Sequence, residues 1–270
     1  PWYNIFMAQR KKVLFTSHTA NFAKFNRPLM RDLRKKGHTV HYASAGEEKI
    51  LDADESFVVP FARSPFKLKQ NLKAYAELKR LLERENYDLV HCHTPVGGVV
   101  TRLAVKHAKL EKKPKVFYTG HGFHFYKGAP WINWLLYYPI EKWLARSTDV
   151  IITINSEDRD RAERKFKTGR VVQIPGVGVD LLKFRPGNEQ EKLELRQKNG
   201  LGKDDFVLVY GGEINKNKDQ EFIIDNLSVL RAEAPQIKVL FAGVGPEQKR
   251  LEAKIQKLGL SETVKFLGYR

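Results

Sequence analysis

The chain has 270 residues, 42% of them apolar and 29% charged, a balance that fits about two folded domains rather than a disordered chain. No stretch nears the ~18 uninterrupted apolar residues of a spanning helix, and the single cysteine, Cys92, excludes an internal disulfide and a cysteine-rich zinc site. Lys and Arg number 48 against 31 Asp and Glu, a formal charge of +17, and the excess sits early: residues 1–200 hold 37 basic and 21 acidic side chains, residues 201–270 only 11 and 10.

Such a field attracts polyanions, whether nucleic acid, an anionic membrane surface or a phosphorylated substrate. Residues 1–12 lack the apolar segment and cleavage site of a secretory signal, and with one cysteine a reducing cytoplasm is the simplest home.

In chain order, strands are predicted at 12–16, 39–44, 88–93, 115–120, 150–155 and 171–174, then at 206–211, 238–242 and 264–267. Helices are predicted at 21–36, 68–84, 97–109, 131–146, 156–167, 189–198, 219–233 and 246–258. Alternation of short β-branched runs with longer amphipathic ones is the pattern of an α/β fold with parallel sheets. Gly37 reads as a helix stop, Ser156 as an N-cap and Pro246 as a first helical residue. PGVGVD and RPGN punctuate the chain, so the expected organisation is a first domain over 7–176, a connection over 177–202 and a second domain over 203–270. Met7 reads as a natural start with 1–6 upstream of it, and the second domain, with three strands, reads as incomplete.

The first strand runs into TSHTANFAKFNRP without the glycines of a dinucleotide-binding turn, which argues against a nicotinamide or flavin enzyme. His18, Asn21 and Phe22 sit instead at the carboxyl end of a strand, where doubly wound sheets bind ligands; Asn21 reads equally well as a helix cap. In VHCHTPVGG, His91 and His93 share one face of a strand and Cys92 takes the other. A His-x-His pair can ligate metal, but no third ligand is evident nearby, and the expectation is no metal. Pro95, Gly97 and Gly98 open a helix whose free N–H groups suit a phosphate or carboxylate, or form an ordinary tight turn.

In YTGHGFHFYKG two glycines bracket His121, so that its imidazole is expected at the sheet's carboxyl edge, able to donate hydrogen bonds to a sugar hydroxyl. GAPWINWLLYYPIEKWLAR follows, a helix bent or broken near Pro139. Its Trp131, Trp134 and Tyr138, with Lys142 among them, read either as contacts with an anionic membrane surface or as internal packing. In FVLVYGGEINKNKDQ, Gly212 follows a strand and Lys216 and Lys218 lie in the loop beyond, a combination that holds a diphosphate. FAGVGPE places Gly243 and Gly245 in a second turn at the next strand's end, suited to a nucleoside.

Through HTPVGG, TGHGFHFYKG, INWLLYYPIEKWLAR, TINSED, IPGVGVD, GGEINKNK, AGVGPE and VKFLGYR, from about Lys11 onward, the chain resembles the family 4 glycosyltransferases of bacterial polysaccharide and lipid-linked glycan synthesis. That resemblance implies a GT-B fold of two Rossmann-like domains facing a cleft, the first taking the acceptor and the second a nucleotide-sugar. It implies metal-independent transfer with retention of configuration, His121 at the donor sugar, and Gly212 and Lys218 at its diphosphate with Lys216 beside them. Gly243 and Gly245 fall at the nucleoside.

Many members carry an arginine where this chain has Glu213, which leaves the lysines to hold the diphosphate. The members' paired glutamates fall beyond FLGYR, so the chain by itself is expected to have little activity.

The expected parent enzyme moves a sugar from a nucleotide-sugar, a UDP-sugar foremost, to a lipid-linked acceptor at the inner membrane face. His18, Asn21, Phe22 and His93 would line the acceptor side, and no cofactor is needed. A same-fold sugar-phosphate synthase or non-hydrolysing epimerase stays open, as does a non-catalytic membrane or interaction module. A nucleic-acid partner is not expected, since no reader motif is found.

Overall fold

The computed structural model describes residues 9–270; the start expected at Met7 and the upstream stretch 1–6 lie outside the described residues. The chain forms two compact units, one through Val179 and one from Asp180.

The first unit is built from β1 (Lys12–Thr16), a 3-10 turn (Ala20–Phe25), α1 (Arg27–Lys35), β2 (Thr39–Ser44), β3 (Glu55–Val58) and α2 (Leu68–Glu85). There follow β4 (Leu89–His93), α3 (Pro95–His107), β5 (Lys115–Gly120), α4 (Trp131–Leu144), β6 (Val150–Thr153), α5 (Ser156–Lys165) and β7 (Arg170–Gln173). Its seven strands lie in the order β3-β2-β1-β4-β5-β6-β7, and every pairing is parallel.

Strand periodicity sorts the side chains onto two faces. Leu14, Val90 and Val116 pack beneath α2 and α3 against Leu78, Leu82 and Ala104. Val13 and Phe15 face the other way, onto Met30 and Leu33 of α1. A third cluster joins Cys92, Tyr118 and Ile151 to Phe123, Phe125 and Phe166. The chain leaves β1 toward β2 on one side and β4 toward β5 on the other, so the loops after β1 and β4 part at the carboxyl edge.

The second unit comprises α6 (Glu189–Lys198), β8 (Phe206–Gly211), α7 (Gln220–Asp225), α8 (Leu227–Glu233), β9 (Ile237–Ala242), α9 (Gln248–Lys257) and β10 (Val264–Gly268). Three parallel strands in the order β10-β9-β8 carry a core of Val239, Phe241, Ile224, Leu227 and Leu251.

Several local expectations need correction. The helix expected over 21–36 is two elements, because Asn26 ends the 3-10 turn and Pro28, lacking an N–H, sits in the first turn of α1. Asn21 lies exposed inside the 3-10 turn and caps nothing.

The N-cap of α5 is Asn155, whose side chain accepts from the Asp158 N–H at 2.8 Å, and not Ser156. Pro246 precedes α9, which Glu247 caps. The run 219–233 divides at Asn226, and β3 is a further, exposed edge strand. Pro139 lies inside α4, which continues through it. Gly37, at φ +83°, does stop α1.

Candidate functional site

Beyond β1 the chain is pinned before it turns: Ser17 Oγ donates to the Thr19 carbonyl at 2.7 Å and lies 2.8 Å from the Tyr42 hydroxyl. The His18 N–H then donates to Thr94 Oγ1 at 3.4 Å, across the switch point. Thr94 holds φ +67° and ψ 151°, a region natural to glycine and costly for a β-branched residue. Gly97 makes the approach possible, since a Cβ there would lie 2.8 Å from Thr94 Oγ1 and 3.1 Å from His18 N.

His121 leaves the end of β5 on a turn that Gly122 completes at φ +105°. Its Nε2 is 3.2 Å from Nδ1 of His93, and the Phe22 ring stands edge-on to it at 4.7 Å. His91 lies behind, 4.2 Å from the His93 ring centroid, with its Nε2 2.8 Å from Thr119 Oγ1.

Burial lowers all three imidazole pKa values: His91 to about 3, His93 well below its usual value with help from the other two rings, and His121 to a smaller degree. His18 is also lowered, by burial and then by the Arg63 guanidinium. The cluster is therefore neutral near pH 7.

His91 has a consequence for acid stability. Unfolded, it takes up a proton near pH 6.5, while folded it does so only near 3, so its stabilising effect is complete above about 6.5 and is lost as pH falls toward 3. Melting temperature is expected to fall across that window, and less steeply in His91→Phe, when followed by circular dichroism.

Thus the structure brings His18, Phe22, His93 and His121 together and leaves Asn21 at the exposed side of the turn. His93 is only 2% exposed and lies behind His121 rather than open to solvent. Thr94, Thr119 and Arg63 were not singled out from the sequence. Arg63 follows β3, and with that strand unrecognised nothing placed it at the sheet's carboxyl edge. Among the described residues no group of three or more His, Cys, Asp or Glu side chains is arranged to hold a metal ion.

On α4 the expected aromatic surface divides. Trp134 and Tyr138 turn inward onto Phe125, and Arg161 covers Trp134 at 4.8 Å, so internal packing explains both. Trp131, 74% exposed, and Lys142 face outward, with Leu135 and Trp143 also exposed.

The helix is anchored by a buried ion pair between Arg102 Nη2 and Glu141 Oε2 at 2.7 Å. Between α2, α3 and α4 lies an apolar groove of about 480 Å³, lined by Phe66, Leu72, Tyr75, Val99, Leu136 and Ile140 among others. Exposed Lys67 and Lys69 flank its lining residues in sequence. No helix among the described residues is long and apolar enough to cross a membrane.

In the second unit the two glycine turns form one backbone layer. The Gly212 N–H donates to the Ala242 carbonyl at 2.9 Å and the Ile214 N–H to the Val244 carbonyl at 3.1 Å. A Cβ on Gly243 would lie 1.9 Å from the Gly212 carbonyl oxygen, and one on Gly245 2.2 Å from that of Ile214, so only glycine permits the contact.

The loop beyond is held by the Tyr210 hydroxyl, which donates to the Lys218 carbonyl at 2.8 Å, and by Asn215 Oδ1, which accepts from the Lys218 N–H at 3.0 Å. Gln220 Nε2 donates to the Glu213 carbonyl at 3.0 Å. Lys216 and Lys218 are both exposed, on a loop whose shape is already set.

A family model described as Glycosyltransferase Family 4 matches residues 23–181, and one described as Glycosyl transferases group 1 matches 191–270. The Bacillus subtilis glycosyltransferase EpsD is 44% identical over 261 residues, 96% of this chain and 68% of its own length. An Escherichia coli UDP-Gal:alpha-D-GlcNAc-diphosphoundecaprenol alpha-1,3-galactosyltransferase is 28% identical over 230 residues, 81% of this chain and 57% of its own length. Among solved structures, Anabaena HepE in complex with UDP and glucose superposes with a TM-score of 0.72 at 19% identity, covering 97% of this chain and 70% of that one, which agrees with a GT-B fold. With one family model or the other covering nearly all of the chain and a relative at 44% identity, this chain belongs to glycosyltransferase family 4.

Proposed function

We propose that the protein transfers a sugar, with retention of configuration, from a UDP-sugar to a lipid-linked polysaccharide precursor at the cytoplasmic face of the membrane. The observation that carries this reading is the preshaped loop after β8, which offers Lys216 and Lys218 beside glycine-lined backbone. The named donor and acceptor of the Escherichia coli relative support the same substrates.

In this reading Lys218, with Lys216, neutralises the departing diphosphate, which makes it a better leaving group. Gly212, Gly243 and Gly245 set the turns that receive diphosphate and nucleoside. His121 positions the donor sugar while the acceptor hydroxyl attacks from the same face, and His18 and Phe22, joined by Arg63, border the acceptor's path. The groove beside α2 and α4, with its basic flank and the exposed Trp131 and Lys142, suits a membrane carrying anionic lipid.

The test uses the full-length protein and a panel of UDP-sugars. Lys218→Ala is expected to weaken UDP binding by about 10–100-fold in calorimetry, the scale of one charge-assisted hydrogen bond. Unchanged UDP affinity would remove the diphosphate role. Sedimentation with vesicles rich in acidic lipid is expected to fall in Phe66→Asp and in high salt; equal sedimentation by neutral vesicles would remove the membrane part.

A further inference from the structure

His93 Nδ1 and His121 Nε2 face each other at 3.2 Å, so one hydrogen lies between them and two arrangements are open. Both rings are neutral, and each carries a single hydrogen. If His121 were the donor, the hydrogen of His93 would have to sit on its Nε2. That atom is fully buried and has no hydrogen-bond partner, and the Phe15 and Phe22 rings stand 6.3 and 5.7 Å from the His93 ring. A buried N–H without an acceptor is among the rarest defects in folded proteins. If His93 is the donor, its Nε2 is a bare ring nitrogen and no N–H is stranded.

We infer that His93 donates from Nδ1 to Nε2 of His121 and thereby holds His121 as its Nδ1–H tautomer. No protein hydrogen bond is found for Nδ1 of His121 among the described residues, and it does not belong to the buried, unpartnered atoms, so it is open at the carboxyl edge of the sheet. His121 then offers a hydrogen-bond donor there and not a proton acceptor. It meets an oxygen of its ligand, a hydroxyl or an anionic oxygen, and it does not act as a base through that nitrogen.

His93 is in these terms a positioning residue that reaches the ligand only through His121. His91, itself held by Thr119, braces it from behind. The link from this tautomer to catalysis rests on the reading that His121 faces the donor sugar.

The decisive measurement is the nitrogen spectrum of the histidine rings by two-bond proton–nitrogen NMR on the ligand-free protein. The wild-type His121 is expected to show a protonated Nδ1 and an unprotonated Nε2. His93→Asn, whose amide nitrogen takes the place of Nδ1, is expected to keep that pattern and a kcat within about threefold of wild type. His93→Leu is expected to lose the pattern and about 10–100-fold in kcat, with the donor KM little changed, as for other residues that set a ring's orientation through its second nitrogen.

A protonated Nε2 on wild-type His121 would overturn the inference, and so would a folded His93→Asn that matches His93→Leu in both spectrum and rate. Where His93→Leu fails to fold, the wild-type spectrum and His93→Asn decide. Should the tautomer be as stated while His121→Ala transfers sugar at the wild-type rate, the inference stands and the donor-sugar reading of His121 falls.

Discussion

Glu141→Ala is expected to lower the unfolding free energy of the first unit by about 3–5 kcal/mol, the scale for stripping the partner from a buried charge. Arg102 is 0% exposed, donates from Nε to the Gly98 carbonyl at 3.0 Å and lies 4.0 Å over the Tyr118 ring. Glu141 neutralises it at 2.7 Å and also accepts from the Tyr118 hydroxyl at 3.1 Å. Alanine at 141 leaves the guanidinium without a counter-charge and the phenol without its acceptor.

Three of the four tryptophans, Trp131, Trp134 and Trp143, lie on α4, so most of the tryptophan fluorescence in a urea titration follows the element the pair secures. The paired change Arg102→Met with Glu141→Leu is expected to cost clearly less than Glu141→Ala, because no charge is then left buried. A shift in Glu141→Ala of less than 1 kcal/mol would mean that water reaches the pair.

His121→Ala is expected to reduce kcat by about 10²–10³-fold, the usual effect of removing one preorganised donor from a transition state. The ring is fixed by the His93 hydrogen bond and the Phe22 edge and makes no ion pair among the described residues. Its removal leaves the buried His93 N–H without its acceptor, so a loss of about 1–3 kcal/mol in stability is expected beside the loss in rate. UDP affinity, which the proposed function assigns to the second unit, should stay within about twofold. A large loss of UDP binding in His121→Ala would instead place the nucleotide against the imidazole cluster.

Much of the scaffold was legible because its signals are local. The short β-branched and aromatic runs of β1, β4 and β5, buried almost throughout, and the glycines at the ends of β4 and β5 are read from adjacent residues alone. The imidazole His121 was found for the same reason, since the glycines on either side announce a sharp turn at a strand end.

What escaped depends on partners far along the chain. Arg102, in VVTRLAVKH, looks like any basic residue on a helix surface, and its burial is explained only by Glu141, 39 positions later. Strand β3 has only four residues and pairs on one side, so propensity alone did not mark it. Gly243 and Gly245 read from the sequence only as a turn suited to a nucleoside; that glycine is required there follows from contact with the backbone of residues 212 and 214. On α4, composition could not say which of the crowded aromatics turn inward; contact with Phe125 settles that for Trp134 and Tyr138, the latter also meeting Phe166.

Thr94 bears on how this enzyme could be improved or spoiled. A glycine in its place would relax the backbone there, by about 1–3 kcal/mol at most, yet would remove the hydroxyl that receives the His18 amide. A search for sturdier variants that scores melting temperature alone would therefore tend to reward loosening of the link between the loops after β1 and β4. Screens on this scaffold should count turnover alongside heat resistance.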